Sequence, residues 1–191
     1  SRTAGMKATL NKQVSSSVTS DVSFIAKAGQ GLSWFQSTGY TQLINEINKT
    51  KGSKPIAVVF NLGINDMANI SNYISYMSDI ASTLKSKNCK LFYMSVNPIN
   101  SVMITKAGKG ARTEAQVREF NSKIRSGLSL NYKYIDTYSV LMKKGYGTNS
   151  SYSGTDAASD DGLHYTTKTF KRIYYYCITY LNTGSIDASI Y

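Results

Sequence analysis

The chain has 191 residues, of which 41% are hydrophobic and 17% charged, a composition that excludes a disordered polymer and fits one domain with a sizeable core. Its 22 Lys and Arg against 11 Asp and Glu give a net charge of +11, which favours acidic partners or anionic surfaces, but the basic residues are scattered over helix ends and loops and form no recognisable nucleic-acid module. No apolar run approaches the roughly 20 residues that span a bilayer, and two isolated cysteines with a single histidine lack the clustered ligands that zinc requires.

In chain order the segments alternate in type, which is the signature of a parallel sheet with crossover helices. Residues 4–13 read as a short helix, and Val22 to Ala26 as a strand running into Gly29-Gln30-Gly31. A helix is predicted near 40–49, carrying Leu43, Ile44 and Ile47. The apolar run Ile56 to Leu62, bounded by Pro55 and Gly63, reads as a strand buried on both faces. Ile70, Ile74, Met77, Ala81 and Leu84 recur at helical spacing and predict an amphipathic helix over 70–86. Leu91 to Val96 is the next strand, ending at Asn97-Pro98.

After a loop rich in Lys and Gly, Thr113 and Gln116 have the spacing of a capping box. The helix they open is expected to bury Val117, Phe120, Ile124 and Leu128. Tyr132 to Ile135 reads as a strand, followed by a short helix around 138–144 and a polar loop from Gly145 to Asp161. Thr166 or Thr167 caps the last helix, whose apolar stripe is Phe170, Ile173, Cys177 and Leu181. Cys89 and Cys177 both fall on apolar segments and read as small buried hydrophobes, with a disulfide between them left open. Residues 1–182 are expected to form a single domain and 183–191 an exposed tail.

Two places carry chemistry. His164 is the sole histidine, so any imidazole proton shuttle near pH 7 has only this position, and Asp161 stands three residues before it, where it can orient and polarise the ring. A capping or hydrogen-bonding role for this loop histidine is the alternative. Upstream, the polar end of the Ile56–Leu62 strand lies at the carboxyl edge of the sheet, where open α/β folds bind ligands. Asn65, held there by the Gly63 turn, can donate to charge developing on a substrate oxygen, or Asn65-Asp66 can simply cap the next helix.

Four pieces together, Ser1-Arg2-Thr3-Ala4-Gly5-Met6, Ala28-Gly29-Gln30-Gly31, Gly63-Ile64-Asn65-Asp66 and Asp161-Gly162-Leu163-His164, resemble the ordered signature of the SGNH (GDSL-type) hydrolases. The resemblance implies a three-layer α/β/α sandwich with a mostly parallel, flavodoxin-like central sheet, and an esterase or acyl hydrolase that needs no cofactor. It implies Ser1 as nucleophile, His164 as general base and Asp161 as the residue orienting it. Gly31 and Asn65 would be oxyanion-hole donors, with Gly29 the alternative to Gly31. Arg2 would touch substrate or tie down the loop beside the nucleophile, Asn97 would be structural, and Asp66 would brace the Asn65 turn.

In one respect the pattern departs from the family. There the nucleophile follows a Gly-Asp pair at the end of the first, central strand, whereas here the sequence opens at Ser1. The expectation is therefore a sheet whose first strand is trimmed away, or supplied by a cleaved leader, an upstream segment or a second chain.

The function expected from these readings is removal of small acyl groups such as acetyl, with a carbohydrate or cell-wall polymer as substrate on the strength of Trp34, the 15 tyrosines and a lysine-rich surface. Most of the tyrosines read as packing residues. A non-catalytic module binding an anionic polymer on the same scaffold, and acyl transfer to another hydroxyl, are the competing readings. The polar, cysteine-poor makeup suits an exported bacterial protein and a cytosolic one alike.

Overall fold

A computed structural model of the chain describes residues 2–15, 19–50, 52–145 and 161–189. Helix α1 spans Arg2–Gln13 and buries Arg2, Met6, Thr9 and Leu10, positions three and four apart that form one face. A continuous helical stretch follows Gly31. It comprises α2 (Leu32–Trp34), a π-helical turn (Phe35–Gly39) and α3 (Tyr40–Lys49). Strand β1 is Ile56–Phe60, and a 3-10 turn (Met67–Asn69) leads into α4 (Ile70–Ser86). Strand β2 (Cys89–Met94) precedes α5 (Ser101–Lys106) and α6 (Glu114–Gly127). Strand β3 (Lys133–Ile135), α7 (Thr137–Lys143) and α8 (Thr167–Thr183) complete the described elements.

The three strands are parallel in the order β1-β2-β3, with Ile56 opposite Cys89, Phe60 opposite Tyr93 and Met94 opposite Ile135. Because side chains alternate across a strand, β2 feeds two cores. Leu91 and Tyr93 join Val58 and Phe60 against Tyr73, Met77 and Leu84 of α4 and Val117, Phe120 and Ile124 of α6. Phe92 and Met94 join Ile135 on the opposite face, against Met6 and Leu10 of α1 and Phe170, Ile173 and Tyr176 of α8. Two helical layers thus enclose the sheet, the α/β architecture that alternating segments predict. The capping box at Thr113 and Gln116 is formed with both of its hydrogen bonds.

Two expectations are corrected. Val22 to Ala26 is not a strand, because none of these residues pairs in the sheet. Strand propensity yields a strand only where a neighbour takes up the backbone groups. A cavity of about 1010 Å³ lies where that neighbour would be, lined by Val22, Phe24 and Ala26 on one side, Ala57 and Val59 on another, and Ile178 of α8. The same opening explains why β1 is not buried on both faces. Val58 and Phe60 are buried, but Ile56 and Val59 are half-buried and Ala57 is exposed. Both cysteines are free; Cys89 is buried, and Cys177 is half-buried in apolar surroundings that push its thiol up to about 12. Among the described residues no helix is long and apolar enough to cross a membrane.

Candidate active site

The described residues singled out by the motifs lie in the turns beyond the carboxyl edge of the sheet. The Asp161–Tyr165 turn carries the densest hydrogen bonding there. Oδ1 of Asp161 accepts from the amides of Leu163 and His164, each at 2.8 Å, and closes a tight side-chain turn. Oδ2 lies 2.7 Å from Nδ1 of His164 and 2.6 Å from Nζ of Lys109. Burial alone would raise the Asp161 carboxyl, but the Lys109 ammonium, the His164 amide and ring and the Leu163 amide outweigh it and hold the carboxyl far below the usual carboxylate range. The imidazole is partly open, with about a third of its side-chain surface exposed. It is therefore both oriented from behind and reachable from solvent.

Gly162 makes this turn possible. Its φ is +68°, in the left-handed region, and a Cβ there would lie 2.4 Å from the carbonyl oxygen of Asn100. That close approach also lets the Asn100 amide donate to the Gly162 carbonyl at 2.8 Å, tying the turn to the N-terminus of α5.

Arg2 is 5% exposed and donates to three carbonyls, of Leu163 (2.8 Å), Asn97 (2.6 Å) and Pro98 (2.8 Å), with its guanidinium carbon 4.7 Å from the centroid of the Tyr165 ring. Of the two roles left open for it, the structural one is what these bonds describe. Thr3 reaches Asn61 Oδ1 at 3.3 Å, so the first turn of α1 is anchored at the end of β1 as well. Ser1, the nucleophile named from the sequence, lies outside the described residues.

The second half of the site is built by the Gly63–Asp66 turn. Gly63 has φ +118°, and the Asp66 amide closes the turn on its carbonyl at 3.0 Å. Asn65 Nδ2 donates to the carbonyl of Gln30 at 2.8 Å, so the side-chain amide lies beside Gly31, the other residue named as an oxyanion donor. An Asn amide nitrogen carries two N–H groups, and the bond to Gln30 uses one of them. Asp66 braces the neighbouring loop: its carboxylate accepts from the Leu32 amide (2.7 Å) and the Tyr73 hydroxyl (2.6 Å). A Cβ on Gly31 would lie 2.2 Å from Asp66 Oδ2, so only glycine lets this carboxylate close on the loop. Asn97 is buried, accepts from the Thr137 hydroxyl at 2.6 Å and is structural.

The sequence reading missed Lys109 and Arg112. Arg112 donates to the Ile64 carbonyl (2.8 Å), the Gly110 carbonyl (2.9 Å) and Asn65 Oδ1 (3.3 Å). Both belong to the Lys- and Gly-rich loop before α6, and nothing local distinguishes them from the scattered basic residues elsewhere. Among the described residues no group of three or more His, Cys, Asp or Glu side chains is placed to hold a metal ion.

Residues 1–176 match the family model described as GDSL-like Lipase/Acylhydrolase. No curated protein and no solved structure matches the chain.

Proposed function

Because the chain belongs to the GDSL-like lipase/acylhydrolase family, whose members hydrolyse ester bonds, we propose that it removes small acyl groups, acetyl among them, through an acyl-enzyme formed on Ser1. The observation that carries this reading is the Asp161–His164 pair: Oδ2 of the carboxylate lies 2.7 Å from Nδ1 of an imidazole about a third exposed, so the ring is oriented by the carboxylate and still reachable from solvent.

In the proposed reaction Ser1 Oγ attacks the acyl carbon as its proton passes to Nε2 of His164, the nitrogen opposite the one held by Asp161. The imidazolium returns that proton to the departing alcohol oxygen as the ester C–O bond breaks. Water, giving a proton to the same ring, then attacks the acyl carbon, and the proton moves on to Ser1 Oγ as the acid leaves. The amides of Gly31 and of the Asn65 side chain are the donors we assign to the tetrahedral oxyanion; loss of one such donor typically lowers turnover by about 10²–10³.

We infer a carbohydrate or cell-wall polymer as the alcohol part of the substrate. Half-buried Trp34, three residues past Gly31, supplies an aromatic surface that supports this reading. The tyrosines add less, since Tyr73, Tyr93, Tyr132, Tyr165, Tyr174 and Tyr176 are buried as packing residues.

The test is turnover of p-nitrophenyl acetate and of an acetylated polysaccharide by the wild type and His164→Ala, together with fluorophosphonate labelling of Ser1. His164→Ala should lose about 10³–10⁴-fold in kcat while folding normally. Undiminished turnover, or no label on Ser1, would discard the mechanism. Hydrolysis of the small ester alone would discard the polymer substrate.

A further inference from the structure

The loop between α5 and α6 is too short and too well anchored to be a passive connection. At its start, Gly108 (φ +63°) ends α5 in a Schellman motif, with the Lys109 amide on the Ile104 carbonyl (3.1 Å) and the Gly108 amide on the Thr105 carbonyl (3.1 Å). At its end, Thr113 and Gln116 exchange capping hydrogen bonds at 3.2 and 2.8 Å. Only Gly110, Ala111 and Arg112 lie between the two caps. The two long cations of this loop reach separate halves of the site.

We propose that this loop is a two-armed clamp on the reaction centre, Lys109 positioning the Asp161 carboxylate behind His164 and Arg112 positioning the side-chain amide of Asn65. The inference rests on the assignment of those residues made above. On the first arm, Oδ2 of Asp161 is shared between the Lys109 ammonium at 2.6 Å and the imidazole at 2.7 Å, while Oδ1 is occupied by two backbone amides. The ammonium therefore fixes the one carboxylate oxygen that faces the ring. It also opposes positive charge on that ring, since both partners draw on one oxygen.

On the second arm, the chemistry of the partners leaves Asn65 a single orientation. Arg112 can only donate and the Gln30 carbonyl can only accept, so the Asn65 oxygen must face Arg112 and its nitrogen must face Gln30 and Gly31. A flipped amide would lose both bonds and present an oxygen where a donor is needed. Arg112 is thus a positioning residue for the oxyanion donor, as Lys109 is for the general base.

The charged and titratable groups around the pair are Arg2 of α1, Tyr165 beneath its guanidinium, Glu114 at the start of α6, and Lys109 and Arg112 of the loop. Lys109→Met removes one cation and leaves the others in place. Its side chain is 40% exposed, so the variant should fold. With one histidine in the chain, the Hε1 proton of the imidazole gives one NMR signal whose residue needs no further assignment.

The clamp predicts that the titration midpoint of this signal, and with it the acid limb of the pH–rate profile, moves up by roughly 0.5–1 pH unit in Lys109→Met. Lys109→Arg should restore it. Arg112→Met should lower kcat about tenfold or more with KM little changed, while the imidazole midpoint stays where it is in the wild type. An unmoved midpoint in Lys109→Met overturns the first arm. Wild-type kcat in Arg112→Met, or in Arg112→Ala should the first variant fail to fold, overturns the second. Because the titration is read without substrate, its outcome is separate from failure of the esterase mechanism, which the Ser1 label and His164→Ala decide.

Discussion

Asp161 has to satisfy four donors with two oxygens, and that demand sets how the turn responds to acid. Its carboxyl is held far below the ordinary value of about 3.9, against the opposing effect of burial. A depressed folded-state value means that the stabilisation is complete above the unfolded value and is lost as pH falls from about 4 toward the folded value. Asp161→Asn keeps an oxygen for the two amides but removes the charge that Lys109 and His164 share. The variant should be less stable by roughly 2 kcal/mol at pH 7, the range of hydrogen bonds to charged groups. The difference from the wild type should narrow steadily below about pH 4. Urea denaturation at a series of pH values measures it, and a gap that widens in acid would reverse the sign argued here. The Asp161–His164 pair was readable in the sequence because it is local, three residues apart across a glycine. Lys109, 52 residues away from Asp161, leaves no comparable trace, because a lysine in a glycine-rich loop looks alike whether it meets water or a carboxylate.

At the scale of elements, the boundaries that the sequence announces are those set by side chains close in the chain. Thr113 and Gln116 stop the loop and start α6, and the apolar positions Val117, Phe120 and Ile124 then fall into the core at their helical spacing. Thr113→Ala removes the hydroxyl that accepts from the Gln116 amide, and losing such a cap costs about 1 kcal/mol. In a chain of this size that corresponds to a melting temperature lower by about 2–4 °C, measurable by calorimetry. If the loop is the clamp inferred above, kcat should fall as well, since Arg112 immediately precedes the cap. Elements that depend on distant partners were not legible. The Val22–Ala26 segment has the composition of a strand, but composition does not say whether a neighbour is present to pair with it. The helical turns from Leu32 to Gly39 were missed because Gly31 and Gly39 flank them and mask the period.

For the whole molecule, the decisive fact is that only the central strand of the described sheet, β2, is paired on both sides, and that the edge at β1 opens on a cavity. Phe92 and Tyr93 of β2 have a strand on either side, whereas β1 is paired with β2 alone and has the cavity of about 1010 Å³ on its other side. Both cores were predictable from the alternation of helices and strands, because each strand face and each helix stripe must find an apolar partner. The openness beside β1 follows from the same rule, since among the described residues β1 pairs with β2 alone. Successive residues of β1 direct their amides alternately toward β2 and toward the cavity. Hydrogen exchange read residue by residue should therefore alternate along Ile56–Phe60, the cavity-side amides exchanging about tenfold or more faster than those bonded to β2, while Phe92 and Tyr93 show uniform protection. An unpaired row of this kind is also a template for another extended backbone. Uniform slow exchange along β1 would mean that its outer amides are bonded after all, against the open edge described here.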